Sequence, residues 1–270
     1  MYGTAVHILY LFFCPAAAAM CLMKGLALTC LCLAVVHLAK AKVTAHAAWF
    51  PSLRLLFKHS DLALADYLSE VSGKAFNHDQ VGATALAPPL HHPLPAPAVP
   101  DGFRLNSRRQ LLGIGHNVYQ RAVEVGLRER EVVNRLPWAE LFMADQTDWK
   151  QWKAGTSLLT VVKCYGLVWS ANPCKLVFAH WDKKLPREMG RGKCSSMGFS
   201  TVFGHLIAGE ERFSVEFRKE DSTVWLDLYS ISKGAGVLGK VAMPFIRPIQ
   251  KAFFAEQCRQ MLKLVREDVV

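Results

Sequence analysis

Glu211-Arg212-Phe213-Ser214-Val215-Glu216-Phe217-Arg218 and, after a short polar turn, Ser222-Thr223-Val224-Trp225-Leu226-Asp227-Leu228-Tyr229-Ser230-Ile231 decide how this chain folds. Phe213, Val215 and Phe217 alternate with Ser214, Glu216 and Arg218, and Val224, Leu226 and Leu228 alternate with Trp225, Asp227 and Tyr229. A period of two belongs to strands with one buried face, and two such runs across a short turn form an antiparallel pair. Upstream, Leu158–Trp169, Cys174–Trp181 and Ser195–Phe203 read the same way, so about five strands are expected. Downstream, Ile249, Phe253, Phe254, Cys258, Met261, Leu262 and Val265 recur mostly at three- and four-residue steps, which predicts a long C-terminal helix with Pro244 and Pro248 in its first turn. That helix supplies the cover the sheet needs, so the expected class is α+β, a curved antiparallel sheet gripped by a long C-terminal helix, with helices before it. Asn106 or Ser107 is placed as the cap of one such helix, through Leu111, Tyr119, Ala122 and Val125, and a second piece is expected to reach about Phe142. Gly113-x-Gly115 lacks the third glycine of a phosphate loop and reads as a tight turn or close packing.

Composition excludes other classes. Of the 270 residues 51% are hydrophobic and 20% charged, which is too apolar for a disordered chain. The first carboxylate is Asp61, whereas Lys24, Lys40, Lys42, Arg54 and Lys58 precede it. Residues 1–63 are therefore expected to be a hydrophobic and basic leader, a targeting or membrane segment, apolar from Ile8 to Met23 and with a transit-peptide bias from Lys40 onward. The alternative is a reading frame begun upstream of a true start at Met20 or Met23. Residues 64–270 are expected to be a single domain, interrupted at 84–102 by a proline-rich insertion carrying Pro88, Pro89, Pro93, Pro95, Pro97 and Pro100. The cysteines make no Cys-x-x-Cys pair, and His91-His92 have no third ligand beside them, so no metal and no cofactor is expected. No nucleophile elbow, zinc signature or P-loop is present.

Two groups of polar residues stand out. His205, Glu210 and Glu211 form the one titratable constellation with a defined spacing and are the catalytic candidates. Strand neighbours point to opposite faces, and parity with Phe213 and Val215 turns Glu211 inward, where it would need a partner such as His205, Arg212 or Lys163. A buried, paired structural carboxylate is the simpler reading. Lys183, Lys184, Arg187, Arg191 and Lys193 lie between two strands, a basic loop suited to an anionic membrane surface. It carries no interleaved aromatics for base stacking, so nucleic acid is not expected as a partner.

Phe203-Gly204-His205-Leu206-Ile207-Ala208-Gly209-Glu210-Glu211-Arg212-Phe213-Ser214-Val215-Glu216 resembles the domain-of-unknown-function family numbered nineteen-ninety, found in bacteria and plants. Phe76-Asn77-His78-Asp79-Gln80, Gly102-Phe103-x-Leu105-Asn106, Val224-Trp225 and Pro244-x-x-x-Pro248-x-Gln250-Lys251 fit it in order; the proline-rich segment and Arg128–Arg135 look like insertions. The family has no settled activity. The resemblance implies a START-like, helix-grip fold whose terminal helix closes the sheet over a hydrophobic cavity, and plant relatives are described as chloroplast outer-envelope proteins with channel activity. The expected function is thus a noncatalytic module binding a hydrophobic small molecule or lipid, lined by Phe213, Val215, Phe217, Leu226, Tyr229 and Phe253 and situated at or near the chloroplast envelope. The alternatives are an outer-envelope ion channel, an enzyme using His205 and Glu211, and, for location, another membrane or the cytoplasm. The oligomeric state is open.

Overall fold

The computed structural model describes residues 52–85, 87, 98–143 and 152–267. The leader up to Pro51, His91 and His92 with most of the proline-rich segment, and the last three residues lie outside the described residues. Chain order runs β1 (Leu53–Leu55), α1 (Asp61–Ser72), β2 (Arg104–Ile114), α2 (His116–Ala122) continuing into a π-helical segment (Val123–Arg128), α3 (Glu131–Asn134), β3 (Ala139–Phe142), β4 (Ser157–Cys164), β5 (Val168–Lys184), β6 (Gly192–Thr201), β7 (Ile207–Arg218), β8 (Thr223–Gly234) and α4 (Gly236–Arg266). The strands form one antiparallel sheet ordered β2-β8-β7-β6-β5-β4-β3, with β1 added to β5, and the path ends at β2 and β3. The expected curved antiparallel sheet with a long C-terminal helix is the observed architecture.

Several expectations change: the sheet has eight strands rather than about five, and the run Leu158–Trp169 is broken by a turn between Cys164 and Val168. Arg104–Ile114 is a strand, not a helix, paired along its length with β8 from Arg104↔Ser232 to Ile114↔Thr223. The helix begins after Gly115 (φ 104°), whose backbone turns the chain out of β2. The run to Phe142 contains only the single turn of α3 and then β3, which pairs with β4. Finally, α4 extends from Gly236 through both Pro244 and Pro248 rather than starting there.

The inner face of the sheet carries Leu112, Leu158, Leu176, Met197, Phe199, Phe213, Val215, Val224, Leu226 and Leu228, and α2, the π-helical segment and the second half of α4 close over it with Tyr119, Val125, Leu127, Phe254, Cys258, Met261 and Leu264. A Cβ on Gly126 would stand 2.0 Å from Met261 Cε, so the π-helical segment lies directly on α4. On the opposite face α1 packs Leu64, Tyr67, Leu68 and Val71 against Leu159, Val161, Ala171 and Val202.

The same outer face buries charge. Arg109 donates to Glu216 at 2.6 Å and lies 3.5 Å from Asp227, whose other oxygen accepts from Arg212 at 2.9 Å. Arg212 also donates to the carbonyls of Thr84 and Ala87, tying the segment before the proline-rich stretch to the sheet. Two arginines against two carboxylates leave the cluster neutral, as burial requires.

One compact unit spans Ser52–Val270 and includes the residues just before Leu64. β1 hydrogen-bonds β5, and Ser60 caps α1 by accepting from the Ala63 N–H. A chain started at Leu64 should still unfold cooperatively, because the sheet and α4 are intact. It should be less stable than one started at Ser52 by at least the ~1 kcal/mol of the lost cap, measured by paired denaturant titrations.

Candidate functional site

On the inner face of β7, Glu211 follows the parity of Phe213 and Val215, and its cross-strand partner is Phe199 of β6. Neighbours across an antiparallel pair share a face with their Cβ atoms about 5 Å apart. Arg130 meets this pair from the other side. The π-helical segment delivers the chain to Arg130, which takes a left-handed conformation (φ 55°) just before α3. Its guanidinium carbon stands 4.0 Å from the Phe213 ring centre and 5.1 Å from that of Phe199. Trp152 closes a third side, its ring edge-on to Phe199 at 6.4 Å.

This group is deep and polar. Arg130 is 4% exposed. Desolvation pulls its guanidinium down to about 10, against the attraction of Glu211, so it remains a cation. Burial pushes the Glu211 carboxyl up to about 7, with Arg130 opposing. The two act on each other through space without a hydrogen bond between them. Arg130 Nε and Trp152 Nε1 are buried with no hydrogen-bond partner. Glu211, Cys174, Trp152 and Phe253 nevertheless keep some accessible surface, while Phe213, Leu158 and Leu176 around them keep almost none. Glu211 thus keeps partial accessibility on a central strand beneath α4, whereas the apolar side chains packed around it do not.

The other expected residues lie elsewhere. Glu210 points to the outer face and is structural: it accepts from the Gly82 N–H at 2.6 Å, the Thr84 N–H at 2.8 Å, and the Thr84 and Ser200 hydroxyls at 2.6 Å each. His205 sits in the β6–β7 turn with Nδ1 accepting from the Ile207 N–H, and burial lowers its pKa to about 3, so the ring is neutral. Neither His205 nor Arg212 nor Lys163 partners Glu211; Arg212 faces outward and Lys163 lies over Trp169. The partner is Arg130, from the stretch that looks like an insertion, and no spacing in the sequence signals it.

Among the expected lining residues, Phe213 and Phe253 lie on the inner side of the sheet, Phe253 resting edge-on against Trp138 at 5.8 Å. Phe217 packs beside His116 and Tyr119 towards the far end of the same face. Val215 and Leu226 are solid core, at 0% and 2% exposure. Tyr229 is a correction: odd-numbered residues of β8 face outward, and its ring lies with Phe103, Ala87 and Ile231 under Arg212. In the basic loop, Lys193 pairs with Asp182 at 2.5 Å and Arg191 with Glu220 at 3.5 Å, while Lys183, Lys184 and Arg187 are exposed.

Comparison with known proteins adds a family. The model described as "Domain of unknown function (DUF1990)" matches residues 77–260. A UPF0548 protein of Arabidopsis thaliana is 29% identical over 168 residues, covering 61% of this chain and 75% of that one. A UPF0548 protein of Deinococcus radiodurans is 33% identical over 66 residues, 24% of this chain and 33% of its own length. Among solved structures, a hypothetical protein from Helicobacter pylori aligns with a TM-score of 0.41 at 12% identity, over 62% of this chain and 89% of its own. Major latex-like protein 151 from Panax ginseng aligns with a TM-score of 0.41 at 14% identity, over 60% and 97%.

The two adjacent glutamates should respond oppositely to substitution. The folded pKa of Glu211, about 7, lies above its ordinary 4.5. The folded chain therefore holds an extra proton between those values, and stability falls as pH rises through that window, by on the order of 3 kcal/mol once above it. Glu211→Gln should remove this fall and be more stable than the parent at pH 8. Glu210→Gln leaves donors unsatisfied and should cost about 1–3 kcal/mol at pH 5 and pH 8 alike. Urea titrations of both variants at the two pH values check this.

Proposed function

The chain belongs to the DUF1990 family, and on that premise we propose that its domain is a noncatalytic module that binds a hydrophobic small molecule or lipid between the inner face of the sheet and α4. The observation that carries this is the buried Arg130 guanidinium against Phe199 and Phe213, opposed to Glu211, which keeps some accessible surface on the same inner face. A concave, mainly apolar site with a few placed polar groups is what small-molecule binding requires. Catalysis is disfavoured because His205 is neutral and engaged in its turn, and Glu210 is committed to Thr84, Ser200 and Gly82, so Glu211 has no proton-transfer partner of the expected kind.

The channel reading finds less support. A β-barrel pore needs a closed sheet, whereas this one has edges at β2 and β3 and its inner face is filled by helices. Among the described residues no helix is long and apolar enough to cross a membrane. The exposed Lys183, Lys184 and Arg187 suit contact with an anionic bilayer from which a ligand is collected. The basic, acid-free sequence from Lys40 to Ser60 motivates the chloroplast envelope as the place of action.

Phe253→Ala tests the reading. In a solid core the change costs about 3–5 kcal/mol. Beside an internal space the ring has fewer contacts to lose, so the full chain should lose under about 3 kcal/mol while its affinity for an apolar fluorescent dye drops several-fold. A full core penalty, with no dye bound by parent or variant, would leave the module without a ligand site.

A further inference from the structure

The inner site has an unbalanced set of hydrogen-bonding groups. Among the described residues two buried donors, Arg130 Nε–H and Trp152 Nε1–H, have no partner, and both side chains lie against the Phe199 ring, at 5.1 Å and 6.4 Å. Beside that ring, on the paired position of β7, stands one carboxylate, Glu211, which reaches neither donor. A buried donor left unmade costs free energy that a bound partner recovers, so the unmade bonds select the chemistry of a partner. A hydroxyl both accepts and donates, so a single group can meet an unpartnered donor and Glu211 together. An ether can accept but has nothing for Glu211. A carboxylate would satisfy the donors, but above pH 7, where Glu211 is ionised, it has no hydrogen to give Glu211 and adds a second negative charge, whereas a neutral hydroxyl leaves the Arg130–Glu211 balance intact.

We propose that the molecule bound on the inner face is an apolar alcohol or phenol, whose hydroxyl oxygen accepts from Arg130 Nε or Trp152 Nε1 and whose hydrogen is donated to Glu211. This rests on the ligand-binding reading above and names its class. The aromatic rings Phe199, Phe213 and Trp152 hold the body next to the head group, and Phe253 extends the apolar wall towards Trp138.

Displacement of an apolar fluorescent dye from the full chain by 1-decanol, its methyl ether and decanoate tests the class. Decanol should displace the dye at roughly tenfold lower concentration than either of the others, in line with one charge-assisted hydrogen bond. Glu211→Leu should erase the advantage of decanol over the ether, and Trp152→Phe, which keeps a ring but removes the indole N–H, should weaken both oxygen ligands relative to the dye itself. Thermal melts of each variant confirm folding, and if Glu211→Leu fails to fold, the Trp152→Phe comparison decides. Equal displacement by decanol and its ether would overturn the hydroxyl assignment while leaving a ligand site in place, and so would preference for decanoate. No dye binding at all would instead remove the ligand-binding reading itself.

Discussion

Strand β7 is covered on both faces, and this constraint organises the rest of the domain. Its odd residues meet the layer of α2, the π-helical segment and α4, and its even residues meet the segment around Gly82–Ala87. Side chains one position apart therefore live in different media. Glu210 is held by four donors within 2.8 Å, whereas Glu211, its neighbour in sequence, looks into an aromatic space. The outer face tolerates Glu210, Arg212, Glu216 and Asp227 in burial only because each is hydrogen-bonded or paired with opposite charge, and losing one member would strand another.

Much of this was legible in the sequence where one face is apolar. The β7–β8 pair, the terminal helix and the inward turn of Glu211 follow from periods of two and of three to four, which report burial directly. β2 was hidden because it is polar on both faces: Arg108 and Gln110 point inward, Ser107 and Arg109 outward, and the strand is held by pairing with β8 and by the outer charge cluster. Tyr229 shows the limit of inferring a lining from residue type, since its aromatic ring belongs to the outer cluster that its own parity assigns it.

Arg130 was illegible for a different reason. Its approach to Phe213 depends on a π-helical detour and one left-handed residue, and neither leaves a periodic trace. The stretch that carries the family resemblance works differently, as scaffolding. Asn77 donates to the Ile207 carbonyl and accepts from Thr201, and Thr201 in turn accepts from the Gly209 N–H, so Phe76–Gln80 clips the β6–β7 turn that carries Gly204 and His205. These motifs hold β7 in register, and register is what gives Glu211 its inward view.

The left-handed backbone at Arg130 sets local strain against electrostatic pairing. A side chain at φ 55° carries strain of about 1 kcal/mol that glycine would not, and its guanidinium is kept in a place where burial lowers its basicity. Glycine at 130 would relieve that strain without disturbing a strand, but it would also strip the cover from Phe199 and Phe213 and leave Glu211 without its opposing charge. Heat-resistant redesigns of this scaffold should hold position 130 fixed.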